Sequence, residues 1–293
     1  MPTPRITLGN SLIILAVFVV GLLVAAALFV STRPGANLAA EYEQRVDAVQ
    51  RQRPTQASDP LAPPDMAALP APVQRYLLRS GVLCKPRTSS FRLTFEAEMF
   101  SKPNQAGMRG VAQQLDVIEQ PRRLFFMQTR MAGLPVAVLH DYAGSDASMR
   151  VRLASLFDVV DQRGDALART ETVTFLNDLC FFAPSALVDS RFTWRAIDDR
   201  KAEVQFTSGP HTVSATLIFD ASGDLVNFIS DDRAVLEPAG SLRRRRWSTP
   251  MRHHRDFGGR RLPTEGEAIW HLPEGDFVYG RFALRQAEFD AAH

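Results

Sequence analysis

The sequence predicts a mainly β (α+β) protein: an N-terminal transmembrane helix, then a large curved antiparallel sheet or half-barrel with one or two covering helices. Three observations carry this. Every residue from Leu12 to Val30 is apolar or glycine. From residue 91 onward, apolar and polar side chains alternate with a period of two in one short stretch after another, the pattern of half-buried antiparallel strands. A single mid-chain stretch, 164–187, breaks that alternation.

A helix needs about 20 apolar residues to cross a bilayer, and the run at 12–30 meets that length with Arg5 before it and Arg33 after it. The apolar region of a cleaved signal peptide would be about 7–15 residues, so residues 1–33 read as an uncleaved anchor. The basic residues flanking the run do not favour export, but long domains translocate largely regardless of charge. The expectation is a single-pass protein of the bacterial inner (cytoplasmic) membrane with an extracytoplasmic body.

Residues 34–68 read as a juxtamembrane helix and a proline-rich linker. Leu38, Tyr42, Val46 and Val49 make a thin apolar seam, and "PTQASDPLAPPD" is polar and semi-extended. Residues 69–293 read as the β-rich half-barrel domain. A short helix at 70–80 opens it, with Pro72 suited to a first turn and Gly81 to an end. In "FRLTFEAEM", Phe91, Leu93, Phe95, Ala97 and Met99 alternate with polar residues. The same alternation recurs up to "FVYGRFALRQAEF". Between these strands, "GDALARTETVTFLNDLCFFAPSAL" supplies a helix from about Asp165 to Phe182, stopped by Pro184.

Composition narrows the function. Of 293 residues 45% are hydrophobic, so a sizeable core can be buried, and the net charge of +2 lacks the basic excess of a dedicated nucleic-acid binder. Cys84 and Cys180 lie in no metal-ligand spacing, and Cys180 in "NDLCFFA" reads as a small buried hydrophobe. No nucleophile elbow, Walker loop, dinucleotide fingerprint or H-E-x-x-H occurs. No catalytic residue, cofactor or metal is assigned.

The basic stretch "SLRRRRWSTPMRHHRDFGG" reads as a sheet edge. On a strand His253 and His254 point to opposite faces and cannot share a metal. Arg243, Arg244, Arg245 and Arg246 are candidates for contact with an anionic headgroup. Glu265 and Glu267, on one strand face, and Asp231 are the carboxylates an envelope hydrolase would use. Asn177 and Asp178 interrupt an apolar helix, and Asn227, Asp231, Asp232 and Arg233 end an apolar strand. Either these pair to fix helix against sheet, or they are the few polar groups of an apolar pocket. With Trp247 they are the candidate ligand-binding residues.

The succession "FLNDLCFFAPSALVD", "FTWRAIDD", "TVSATLIFDASGDLVNFISDDR", "RWSTPM" and "GEAIWHLPEGDFVYGRFAL" resembles an uncharacterised bacterial family of membrane-anchored or secreted proteins. More loosely, the final "G-x-x-x-P-T…W" strands are similar to those of LolA-like lipoprotein carriers. That resemblance implies an unclosed β-barrel holding lipid in an apolar cavity beneath a helix, and it carries over no catalytic residue. The expected function is a membrane-tethered binding module for a hydrophobic or lipid-like molecule, its partners the membrane through residues 12–30 and that ligand. The alternatives are the hydrolase and a structural partner of another membrane protein.

Overall fold

The structure is a computed structural model and describes residues 20–21, 37–52, 59–236 and 242–290. Helices α1 (Leu38–Gln52) and α2 (Ala71–Arg79) precede the sheet. Six strands follow: β1 (Ser90–Met99), β2 (Met108–Val117), β3 (Arg122–Met131), β4 (Leu134–Ala143), β5 (Asp146–Leu153) and β6 (Phe157–Arg163). Helix α3 (Asp165–Phe182) leads into β7 (Phe192–Asp198), β8 (Lys201–Ser208), β9 (His211–Phe219) and β10 (Leu225–Ser230). The remainder is β11 (Ala234–Leu236), β12 (Leu242–Arg244), β13 (Trp247–Ser248), β14 (Met251–Arg252), β15 (Arg255–Phe257), β16 (Arg260–Leu262), β17 (Glu265–Leu272) and β18 (Gly275–Phe289).

Fourteen strands form one antiparallel sheet in the order β6-β5-β4-β3-β2-β1-β18-β17-β13-β10-β9-β8-β7, with β14 also on β17. Open sheets of more than about ten strands curl or split. This one curls without closing, and β6 and β7 remain as its two edges. Helix α3 joins those edges in the chain and lies inside the curve, touching β4, β5 and β6 on one side and β9 and β10 on the other.

Alternation sets what each face holds. On β3, Leu124 and Phe126 point outward and pack with Leu38, Tyr42 and Val46 of α1, where the Tyr42 and Phe126 rings stack at 5.3 Å. The seam read from sequence therefore clamps α1 to the convex face, and the helix is not a free stalk. Asn37 caps α1, its Oδ1 accepting from the Ala39 N–H at 3.0 Å. The concave face holds the main core, where the C-terminal half of α3 packs with β7–β10 and α2. Tyr76 of α2 donates its hydroxyl to the Cys180 carbonyl at 2.7 Å. Leu61 and Met66, in the stretch read as linker, are buried in this core.

One part of the expected fold class fails. Among the described residues no helix is long and apolar enough to cross a membrane. The longest, α3, carries Asp165, Arg169, Glu171 and Asp178. Of the expected span at 12–30, only Val20 and Gly21 fall among the described residues. The fold class is corrected to a mainly β domain with a large curved, unclosed antiparallel sheet and a few short helices. The single-pass topology, the inner-membrane location and the membrane as a partner through residues 12–30 are therefore not supported by the described residues.

Candidate functional site

The concave core is complete at one end only. Towards the β1–β5 end, a cavity of about 480 Å³ opens between α3 and the sheet. Its walls are apolar and soft. Met99, Met108, Met127, Met149 and Met251, five of the chain's eight methionines, line it together with Phe95, Phe125 and Phe282. Thioether side chains are flexible and adapt to irregular guests. A hollow of similar volume, about 490 Å³, lies between the end of α1 and the ends of β2 and β4, but Gln52, Ser89, Glu119, Gln120 and Arg122 make its lining more polar than that of the first.

Small residues sit in and beside the wall of the apolar cavity, Ala268 on the cavity itself. In register, Ala97 stands against Gly110 and Phe95 against Ala112, while Ala268 stands against Gly280. A Cβ on Gly266 would fall 2.2 Å from the Met251 sulfur, so that glycine is what admits the methionine.

Helix α3 presents a polar stripe to this cavity. Leu167, Thr170, Glu171, Thr174, Asn177 and Asp178 recur three or four apart and all line it. Buried polar groups need partners, and the strands opposite supply them. Arg123 Nε donates to Asp178 at 2.6 Å and Nη1 to Glu171 at 3.3 Å. His140 Nδ1 lies 3.1 Å from the other Glu171 oxygen. Gln114 Nε2 donates to Asp178 at 2.8 Å and to Asp116 at 2.5 Å. Asn177 donates to Thr249 Oγ1 at 2.6 Å.

Burial alone would raise the Glu171 carboxyl, but His140, Arg123 and Arg233 prevail and hold it at about 2. Burial and the neighbouring Asp178 push the Asp116 carboxyl well up. Burial also raises Asp178, with Arg123 opposing. Of the two carboxyls, Asp178 is the one that holds the arginine.

Arg233 closes the far side of the cavity. Its Nε donates to Thr174 Oγ1 at 3.2 Å and Nη1 to the Tyr279 hydroxyl at 3.0 Å. Its guanidinium carbon stands 4.4 Å from the Trp247 ring and 5.0 Å from the Trp270 ring. Trp247 Nε1 also donates to the Tyr279 hydroxyl, at 3.1 Å.

Of the sequence candidates, Asn177, Asp178, Arg233 and Trp247 meet at this cavity. The others do not. Asp231 pairs with Arg246 on the surface, Asp232 with Arg169 at 2.7 Å, and Asn227 sits on β10 with a buried Oδ1 that has no partner. Arg243 and Arg244 lie on the two-stranded β11–β12 ribbon and Arg245 and Arg246 in the connection to β13, apart from the main sheet whose edge the run was expected to form. There Arg246 is bidentate to Asp231, Arg244 approaches Asp232 at 3.6 Å, and Arg243 and Arg245 are also engaged. The histidine stretch is broken at His253, which takes a left-handed φ of 57°, while His254 turns in to the Leu225 carbonyl at 3.2 Å.

The hydrolase alternative is corrected as well. Glu265 and Glu267 do not face each other across a cleft: Arg252 takes the first at 2.9 Å and Arg281 the second at 3.1 Å. Asp276, His271 and Ser248 do form a chain on the convex face, at 2.6 Å and 2.8 Å. Ser248 is only 2% exposed and lines no cavity given above, so the chain ties β13, β17 and β18 together. Among the described residues no group of three or more His, Cys, Asp or Glu side chains could hold a metal ion.

A family model matches residues 59–282, a span that covers the whole sheet up to the middle of β18, and its description is "Family of unknown function (DUF6544)". The chain belongs to this family. No curated protein matches the DUF6544 chain. Among solved structures it is similar to a LolA superfamily protein from Nitrosomonas europaea, at 13% identity and a TM-score of 0.40 over 75% of this chain and 94% of that one. It is also similar to a DUF1329 family protein from Desulfovibrio piger, at 10% identity and a TM-score of 0.42 over 80% and 95%. Both are weak overall likenesses.

Proposed function

We propose that this DUF6544 chain is a binding protein for a hydrophobic, lipid-like molecule held between α3 and the concave face of the sheet. The observation that carries the reading is the cavity itself: about 480 Å³, walled by methionine and phenylalanine, with its polar groups found chiefly on the α3 stripe, on the strand residues that pair with it and on Arg233. Small-molecule pockets typically measure about 300–1,000 Å³ and combine apolar walls with a few placed polar groups. Asn177, Asp178, Arg233 and Trp247 are the contacts this reading assigns to the bound molecule.

The test is binding of a fluorescent fatty acid, cis-parinaric acid, to the purified full chain. Ala268→Phe and Val138→Trp, which fill the cavity from two walls, should each weaken binding at least tenfold with little change in melting temperature. No binding by the unsubstituted protein, or equal binding by both variants, would sink the reading.

A further inference from the structure

We infer that the molecule bound is an amphiphile with an anionic head, a carboxylate or phosphate, and that Arg233 is the group that holds the head. This rests on the cavity reading above.

Charge pairing around the cavity singles Arg233 out. Among the described lining residues, each carboxylate has a cation other than Arg233. Glu171 has Arg123 at 3.3 Å and His140 at 3.1 Å, Asp178 has Arg123 at 2.6 Å, and Glu267 has Arg281 at 3.1 Å. The acids next to Arg233 in the chain are engaged elsewhere, Asp231 with Arg246 at 2.8 Å and Asp232 with Arg169 at 2.7 Å. Among the described residues, Arg233 is held only by neutral groups, the Thr174 and Tyr279 oxygens and the Trp247, Trp270 and Tyr279 rings. Glu171 feels its charge at longer range.

A guanidinium has five N–H donors in a planar fork. In Arg233, Nε and Nη1 each use one, and Nη2, without a hydrogen-bond partner among the described residues, is not among the fully buried atoms left unpaired, so that nitrogen keeps donors at accessible surface. A fixed, half-buried cation with open donors beside an apolar cavity matches an anion carried on an apolar tail, because charge-assisted bidentate bonds are the strong ones. The aromatic faces that a cationic head would use are already covered by the guanidinium.

The experiment is calorimetric titration of the full chain with decanoate, decyl phosphate, decanol, decylamine and inorganic phosphate. A hydrogen bond to a charged group predicts that the two anionic amphiphiles bind roughly tenfold to a hundredfold tighter than decanol. Decylamine should bind more weakly than decanol, and inorganic phosphate without a tail should not bind measurably. Arg233→Gln should abolish the anionic advantage while decanol stays within about twofold, and Arg233→Lys should keep part of it. The ranking of decanoate against decyl phosphate identifies the head.

Binding of both decanoate and decyl phosphate no tighter than that of decanol overturns the inference and leaves the cavity reading standing. So does an anionic advantage that survives Arg233→Gln, or inorganic phosphate binding as tightly as decyl phosphate. If none of the ten-carbon ligands binds, the cavity reading fails and the inference with it. Should Arg233→Gln not fold, the ranking on the unsubstituted protein still decides.

Discussion

Arg123 of β3 and Asp178 of α3 meet at 2.6 Å inside the curled sheet, their side chains 8% and 9% exposed. Two charges taken from water are costly, and their attraction repays that only with close geometry and further hydrogen bonds. Here Gln114 bridges Asp178 to Asp116 and also accepts from Arg123 at 3.2 Å, and Glu171 takes a second arginine nitrogen. The cluster fixes the depth and rotation of α3, and so which of its faces looks into the cavity.

Removing one partner should be far worse than removing both. Arg123→Met leaves Asp178 buried without its cation and takes the guanidinium from Glu171, and should cost about 3–5 kcal/mol in urea unfolding. The Arg123→Met/Asp178→Leu double variant should cost clearly less than the sum of the single changes, because residues in one network are not additive. Simple additivity would remove the cluster from its structural role.

Acid stability should carry two opposed signatures. Glu171 has its folded pKa lowered to about 2 from 4.5. Its contribution is therefore fully present above about 4.5 and is lost as pH falls toward 2. Glu171→Gln should flatten that acid limb in melts between pH 2 and 4.5. Asp116 is shifted upward from 3.8, so the folded state holds a proton the unfolded chain releases, and stability falls as pH rises above 3.8. Asp116→Asn should therefore raise the melting temperature at pH 7, with the gain shrinking below about pH 4. A loss at pH 7 would show that the carboxylate form is the one the fold requires.

Helix α1 should behave as part of the domain. Tyr42 is 5% exposed and stacks on Phe126, which is 4% exposed. Removing a buried aromatic typically costs about 3–5 kcal/mol. Tyr42→Ala should approach the lower end of that range in chemical denaturation, because α1 packs against the convex face of only one part of the sheet. A cost below about 0.5 kcal/mol, the usual surface value, would mean that α1 leaves the sheet readily in solution.

Much of this fold was legible because alternation is a local signal. Phe91, Leu93, Phe95, Ala97 and Met99 read directly as an inward row, and the 165–182 helix stands out because it breaks the period. The site was legible only in part. Asn177 and Asp178 stood out as polar groups in an apolar run, and Arg233 and Trp247 were also picked out. Arg123, His140 and Gln114 were missed, although each occupies an inward position: Arg123 precedes Phe125 and Met127, and His140 follows Val136 and Val138. A charged residue on the apolar row of a strand was the available signal. Its partners lie 48 and 55 residues away on α3, a pairing that no local pattern encodes. The membrane part of the fold class rested on the 12–30 run, of which only Val20 and Gly21 are described, and no described helix supports it. The arginine run was read as an edge of the main sheet because nothing in the sequence shows that β11 and β12 pair with each other apart from it.

The Ser248–His271–Asp276 chain invites a catalytic reading that its setting does not support. The distances of 2.8 Å and 2.6 Å are those of a nucleophile, base and orienting acid. Ser248, however, pairs with Ile229 on one side and Ile269 on the other, and only 2% of its surface is exposed. A carbonyl carbon has no approach to its Oγ, and the hydroxyl serves instead to join β13 to β17. Ser248→Ala should then lower stability by about 0.5–1.5 kcal/mol, the net worth of one hydrogen bond, and leave p-nitrophenyl ester turnover unchanged from the unsubstituted protein. Labelling of Ser248 by a fluorophosphonate, or a burst of p-nitrophenol that the alanine variant lacks, would show that the serine is reached and activated after all.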